Sequence, residues 1–174
     1  GVDLVEGVPE AGDNFGTAVA EGDFNGDGFM DLAVGVGNEG FGGAATAGAV
    51  NVIFGSPIVG LTAIGDQYLH QDSPGIAGAA EAGDGFGLSL TSGDFNGDGY
   101  TDLAVGVPFE DVGAIVDAGS VNVIYGWSGG LAGGLNSWIH QDTTGIQGVA
   151  EEGDVFGYAL ASGDFDHDGH DDLV

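Results

Sequence analysis

Short apolar runs, each bounded by glycine, alternate along the chain with acidic and glycine-rich segments. Runs of this length, partly β-branched and separated by turn residues, are typical of β-strands. In the third run, Val50, Val52 and Phe54 recur at every second position, which predicts a strand with one face more buried than the other. No segment keeps a helical period, so the pattern predicts an all-β protein. The strand candidates in the first part of the chain are 15–22, 31–36, 49–54 and 67–71.

The same pattern returns at an interval of about 70 residues. The segment AGAVNVIFG at 47–55 matches AGSVNVIYG at 118–126. A Phe-Gly pair precedes each of three acidic loops, at Phe15-Gly16, Phe86-Gly87 and Phe156-Gly157. Four short antiparallel strands in each unit, with an acidic loop in the first hairpin, describe a β-propeller blade.

The acidic loops contain nine residues each: DFNGDGFMD at 23–31, DFNGDGYTD at 94–102 and DFDHDGHDD at 164–172. Oxygen-bearing side chains occupy positions 1, 3, 5 and 9 of every copy, and position 6 is always Gly. Calcium binds six to eight oxygen ligands, and closely spaced carboxylates repel one another unless a cation lies between them. The spacing therefore predicts one Ca²⁺ in each loop, up to three in all.

The predicted ligands are the side chains of these four positions and the backbone carbonyl of position 7. Asp171 is interpreted as a solvated neighbour. The side-chain ligands are Asp23, Asn25, Asp27 and Asp31 in the first loop, Asp94, Asn96, Asp98 and Asp102 in the second, and Asp164, Asp166, Asp168 and Asp172 in the third. The carbonyl ligands are those of Phe29, Tyr100 and His170.

Two other structures could explain an acidic, glycine-rich loop: an EF-hand and a hairpin without metal. An EF-hand needs a bidentate Glu at position 12 between helices, but that position is Val34 or Val105, inside an apolar run that predicts a strand. A solvated hairpin without metal explains a single acidic turn. Three copies in one register favour the metal.

The charge composition restricts the partners. Lys and Arg are absent, Asp and Glu number 28, and the formal net charge is −28. This charge excludes nucleic acid and anionic membrane surfaces, both of which are bound through basic side chains. No apolar run is long enough for membrane insertion. Cysteine is absent, so calcium takes the place of disulfides. Because free calcium is abundant outside cells, we expect an extracellular or cell-surface location.

Together, the Phe-Gly pairs, the DxNxDGxxDL loops and the later Gly-Ala-Val or Gly-Ser-Val strand resemble the FG-GAP repeat of integrin alpha subunits and microbial surface proteins. The resemblance implies an integrin-like β-propeller with calcium in its blade-edge hairpins. It divides the chain into a lead-in from a preceding blade or closing strand at 1–14, blades at 15–85 and 86–155, and the first hairpin of a third, truncated blade at 156–174. These units make about two and a half blades of an incomplete propeller, since closed rings need about four to eight.

The predicted function is a non-enzymatic extracellular scaffold or adhesion module, because the chain lacks recognisable catalytic motifs. Its expected partners are calcium, further blades of the same parent chain or copies of itself, and a protein or glycan ligand. Two alternatives remain open. One is a structural protein that self-assembles through open blade edges into a ring or fibre. The other is the accessory propeller of a larger secreted enzyme.

Overall fold

A computed structural model describes residue 7 and residues 9–174. The described residues contain no helix, and hence no helical segment long and apolar enough to cross a membrane. The predicted all-β fold is confirmed. The strands are β1 (Phe15–Gly22), β2 (Asp31–Val36), β3 (Ala49–Phe54), β4 (Thr62–Leu69), β5 (Ser89–Gly93), β6 (Asp102–Val107), β7 (Ser120–Trp127), β8 (Gly130–Ile139), β9 (Ser162–Gly163) and β10 (Asp172–Leu173).

Two four-stranded antiparallel sheets follow the chain order, β1-β2-β3-β4 and β5-β6-β7-β8, and β9 pairs with β10 in a third, two-stranded sheet. None of the three described sheets closes on itself. This arrangement is that of partial β-propeller blades. Half of the predicted lead-in, residues 1–6 and 8, lies outside the described residues. The division into units at 85 and 155 stays a prediction.

Two details of the predicted strands are wrong. The fourth strand covers Thr62–Leu69 rather than 67–71, because pairing with β3 extends it toward its N-terminal end, as far as Thr62 opposite Phe54. The third strand has two buried faces rather than one, since Val50, Asn51 and Val52 are each no more than 2% exposed. Ala49 to Val52 of β3 are therefore buried on both faces of the sheet, while its two edges pair with β2 and β4.

The core lies between the sheets rather than within one of them. Its largest cluster combines Val50 and Val52 of the first sheet with Leu103 and Ile124 of the second, all fully buried. A smaller cluster joins Val121 and its neighbours in the second sheet to partly buried residues near β9 and β10. Each sheet therefore obtains much of its hydrophobic stabilisation from the next sheet, as expected for stacked repeats.

The second Phe-Gly pair forms one of the contacts between sheets. Phe86 is fully buried, and its backbone N–H donates to the Ala47 carbonyl at 2.8 Å. Beside it, a Cβ added at Gly87 would lie 2.7 Å from the Ala49 carbonyl oxygen. The pair thus places an aromatic ring between successive sheets, and its glycine permits close backbone approach.

Candidate metal centres

Each acidic loop connects the first two strands of its unit, and all three share one backbone conformation. Positions 4 and 6 have positive φ: 69° and 89° at Gly26 and Gly28, and 64° and 93° at His167 and Gly169. Glycine adopts this left-handed region without steric cost, and the loop can therefore turn inward on its own side chains. His167 shows that position 4 tolerates a side chain in the third loop.

The carboxylate at position 1 lies at the centre of the turn. In the first loop, Asp23 Oδ1 accepts a hydrogen bond from the Asp27 N–H and Asp23 Oδ2 accepts one from the Gly28 N–H, both at 2.9 Å. Asp94 and Asp164 accept the equivalent pairs of bonds in their own loops. These bonds fix the carboxylate toward the loop interior.

Positions 3 and 5 form successive side-chain turns. Asn25 Oδ1 accepts from the Asp27 N–H at 2.9 Å, and Asp27 Oδ1 accepts from the Phe29 N–H at 2.9 Å. Short polar side chains commonly bond the backbone two residues on in this way. Asn96, Asp98, Asp166 and Asp168 repeat the arrangement.

Position 9 connects the loop to a second hairpin. Asp31 Oδ2 accepts from the Phe24 N–H at 2.9 Å, and its Oδ1 accepts from the Gly55 N–H, just after β3, at 2.8 Å. Asp102 bonds Phe95 and Gly126 in the same way. Both aspartates are at most 1% exposed. In the first two loops the ninth residue is therefore a buried anchor as well as a candidate ligand. In the third loop Asp172 is half-buried and accepts from the Phe165 N–H at 2.9 Å.

Burial of this anchor has an electrostatic cost. Desolvation raises the pKa of Asp102 to about 6, and the charges of Asp98 and Asp94 add to it, although the N–H groups of Gly126 and Phe95 lower it. The pKa of Asp31 is raised for the same reasons, with burial as the largest. A cation beside these carboxylates would favour their ionised form.

The structure brings three of the predicted ligands of the third loop together. Asp164, Asp166 and Asp172 each place a carboxylate oxygen within 4.8 Å of the others. The Asp168 carboxylate is not part of this set. In the first two loops Asn25 and Asn96 occupy the place of Asp166 and contribute an amide oxygen instead. Carboxylate and amide oxygens are the donors that a hard cation prefers, so the residues fit calcium.

The sequence interpretation of Asp171 as a solvated neighbour is wrong. Asp171 Oδ2 accepts a hydrogen bond from the Asp94 N–H at 2.9 Å and so joins the third loop to the second. Thr101 makes the equivalent contact with Asp23 in the first loop. Both residues occupy position 8 of their loops. This position is Met in the first loop, Thr in the second and Asp in the third, so the sequence gives no signal of a shared role.

A second acidic cluster lies outside the loops. Glu110 and Asp84 are 6% and 3% exposed, and Gln71 Nε2 donates to Glu110 Oε2. Desolvation raises the pKa of Glu110 to about 7, and the charges of Asp84, Glu81 and Asp111 raise it further, whereas the bond from Gln71 lowers it. Burial likewise raises the pKa of Asp84 to about 6. Asp84 ends a Glu-x-Gly-Asp segment that recurs at 10–13, 81–84 and 151–154, but that segment does not indicate burial, and Glu110 belongs to no recognisable motif.

Fold and loops together define a protein built from propeller-type blades with acidic blade hairpins. The model of the FG-GAP repeat matches residues 15–53, 86–124 and 156–174, and the chain belongs to this family. The resemblance drawn from the sequence is thereby confirmed.

Relatives match nearly the whole chain. Integrin alpha-3 of Cricetulus griseus is 33% identical over 173 residues, which cover 98% of the chain and 15% of the integrin. Phosphatidylinositol-glycan-specific phospholipase D of Rattus norvegicus is 36% identical over 168 residues, covering 96% of the chain and 18% of that protein. The chain thus spans less than a fifth of the length of these relatives.

Proposed function

We propose that each acidic loop binds one Ca²⁺ and that the metal acts structurally, as a stabiliser of the blade hairpins. The ligands are the side chains at positions 1, 3, 5 and 9 and the position-7 carbonyls of Phe29, Tyr100 and His170. The observation that carries the proposal is the convergence of acidic oxygen atoms in the third loop, within 4.8 Å of one another. Without a cation, that convergence is repulsive.

Position 9 explains why the metal would stabilise more than its own loop. Asp102 is fully buried. Its carboxylate accepts one hydrogen bond from the Phe95 N–H, in its own loop, and one from the Gly126 N–H, in β7. Bound calcium would neutralise this carboxylate while leaving its hydrogen bonds in place. Metal binding would then hold β7 against the hairpin formed by β5 and β6. The free energy of metal binding would add to the free energy of folding.

Thermal unfolding with calcium and with a chelator tests this role. A ligand present at about 100 times its Kd stabilises by about 2.7 kcal/mol per site, so calcium should raise the Tm. Asp98→Ala should reduce the rise, whereas Glu152→Ala, which removes an exposed carboxylate elsewhere, should leave it unchanged. A Tm that is the same in calcium and in chelator would refute the proposal.

We further propose that the chain serves as a non-enzymatic, extracellular scaffold or adhesion module within a larger assembly. Its similarity to integrin alpha-3 and its abundance of candidate calcium loops support this. Expected partners are further blades, copies of the chain, or a protein or glycan ligand. The mass of the native particle in calcium tests self-assembly, since a monomer of 17.2 kDa would contradict a ring or fibre.

The similarity to a phospholipase D favours a second candidate, the accessory propeller of a larger secreted enzyme. In that case catalysis would lie on another domain of the same polypeptide. Assaying the parent polypeptide with and without these repeats distinguishes the two. An activity that survives removal of the repeats would support the accessory role, and the absence of any catalytic domain would refute it.

A further inference from the structure

We propose that positions 7 and 8 of the second and third acidic loops each hold the cation site of the preceding loop in position, so that neighbouring loops bind cations cooperatively. The residues concerned are Tyr100-Thr101 and His170-Asp171. This inference rests on the proposed calcium function and adds to it a coupling between sites.

The first and second loops meet through two hydrogen bonds between Thr101 and the backbone of Asp23. The Asp23 N–H donates to Thr101 Oγ1, and the Thr101 N–H donates back to the Asp23 carbonyl, both at 3.2 Å. Beside them the Tyr100 ring covers Gly26, where an added Cβ would lie 2.5 Å from Tyr100 Cε1. Asp23 is the position-1 ligand of the first loop, and its backbone is held by the second.

The second and third loops repeat this contact with different side chains. The Asp94 N–H donates to Asp171 Oδ2 at 2.9 Å, and the Asp171 N–H donates to the Asp94 carbonyl at 3.1 Å. The His170 ring covers Gly97, where an added Cβ would lie 1.9 Å from the ring. The arrangement is therefore a property of the repeat and not of one pair of residues.

A second connection reaches the first loop from position 9 of the second. Asp102 Oδ1 accepts from the Gly126 N–H at 2.9 Å, and the adjacent Trp127 N–H donates to the Phe24 carbonyl at 3.2 Å. Phe24 is position 2 of the first loop, and its own N–H bonds Asp31. Ligands at both ends of the first loop are thus linked to the second.

These contacts connect a proposed calcium ligand of the second loop, the Tyr100 carbonyl, with a proposed ligand of the first, Asp23. A cation in the second loop would fix the Tyr100 carbonyl and, with it, the adjacent Thr101. Thr101 in turn holds the backbone of Asp23, so the first loop would lose less conformational entropy when it binds its own ion. Coupling between sites is reciprocal and commonly changes affinity by about five-fold or more.

Calcium titrations followed by amide NMR test the coupling loop by loop. The N–H groups of Gly28, Gly99 and Gly169 each donate to the position-1 carboxylate of their own loop and report its occupancy. Four forms of the chain are compared: wild type, Asp98→Ala, Thr101→Val and the double variant. Asp98→Ala disables the second loop, and Thr101→Val removes the hydroxyl acceptor while keeping the side-chain shape.

We expect Asp98→Ala to weaken calcium binding at Gly28 by about five-fold, although the substitution lies outside that loop. In the Thr101→Val background this effect should become smaller, because the hydroxyl bond to Asp23 is lost while the backbone bond of Thr101 and the Trp127 connection remain. The effect of Asp98→Ala on Gly169 should persist. If Thr101 is merely structural, Asp98→Ala will lower the calcium affinity at Gly28 by the same factor whether position 101 is threonine or valine. That result would overturn the coupling.

Two controls accompany the experiment. Thr143→Val removes a hydroxyl that also accepts a backbone N–H, from His140 at 2.9 Å, but lies away from the loops, and it should leave all titrations unchanged. Thr101→Ser keeps the acceptor and should retain the coupling even if the valine variant fails to fold. Three glycines that respond to calcium independently overturn this inference alone, whereas no response at any of them overturns the calcium function as well.

Discussion

Replacing Glu110 by glutamine should stabilise the protein above neutral pH and change its stability little in acid. Glu110 is 6% exposed, and the acidic groups that raise its pKa are Asp84, Glu81 and Asp111. Its hydrogen-bond donor is Gln71, whose Oε1 is buried without a partner. A neutral group at position 110 suits this environment better than a carboxylate, because desolvation disfavours the charge.

The direction and the size of this change in stability follow from the shift in the pKa of Glu110. The pKa of Glu110 is raised from 4.5 to about 7 in the folded state. Between these values the folded state binds more protons than the unfolded state, so the free energy of unfolding falls as the pH rises. The stabilisation from the neutral carboxyl is complete below about pH 4.5 and is lost as the pH rises through about 7. A shift of this size corresponds to about 3 kcal/mol.

Urea unfolding of the wild type and of Glu110→Gln between about pH 4.5 and 8.5 measures the difference, at one fixed calcium concentration. The variant should become the more stable of the two by about 3 kcal/mol at the upper end. Glu152→Gln removes an exposed carboxylate and serves as the control for the change in net charge. A difference between Glu110→Gln and wild type that is independent of pH would refute the reasoning.

Two further substitutions test the contacts between repeats and the core. Gly97→Ala should destabilise by about 1–3 kcal/mol more than Gly99→Ala, because both glycines have positive φ but only the first would place a Cβ against His170. Equal loss in the two variants, measured by urea unfolding, would mean that the ring contact contributes nothing. Leu103→Ala, at a fully buried core position, should cost about 2–5 kcal/mol. Leu61→Ala, at a position 48% exposed, is its control, and a similar loss in both would contradict the assigned core.

The sequence predicted the repeat, the strands and the loops because these depend on local spacing. Strands β1 and β2 begin and end where the apolar runs do, at Phe15–Gly22 and Asp31–Val36. The start of β4 at Thr62 was not predictable in this way, since it depends on pairing with Phe54 across a register shift. The predicted range 67–71 overlaps β4 only at its C-terminal end, residues 67–69.

Contacts between repeats were the least predictable part. Thr101 and Asp171 bond the preceding loop although they share no chemistry with Met30, the residue at the same position of the first loop. Their role depends on the distance between neighbouring sheets, which no single repeat encodes. The burial of Glu110 and Asp84 arises in the same way, through packing of segments that are distant in the chain.

The glycine at position 4 also determines which units can follow one another in a tandem array. A unit whose loop carries Gly26 or Gly97 can accept a ring from the next unit, because no Cβ stands in its way. The 164–172 loop carries His167 at that position. Gene duplication or protein engineering could therefore multiply the first two units without altering this contact, whereas a loop copied from the third would first need His167→Gly.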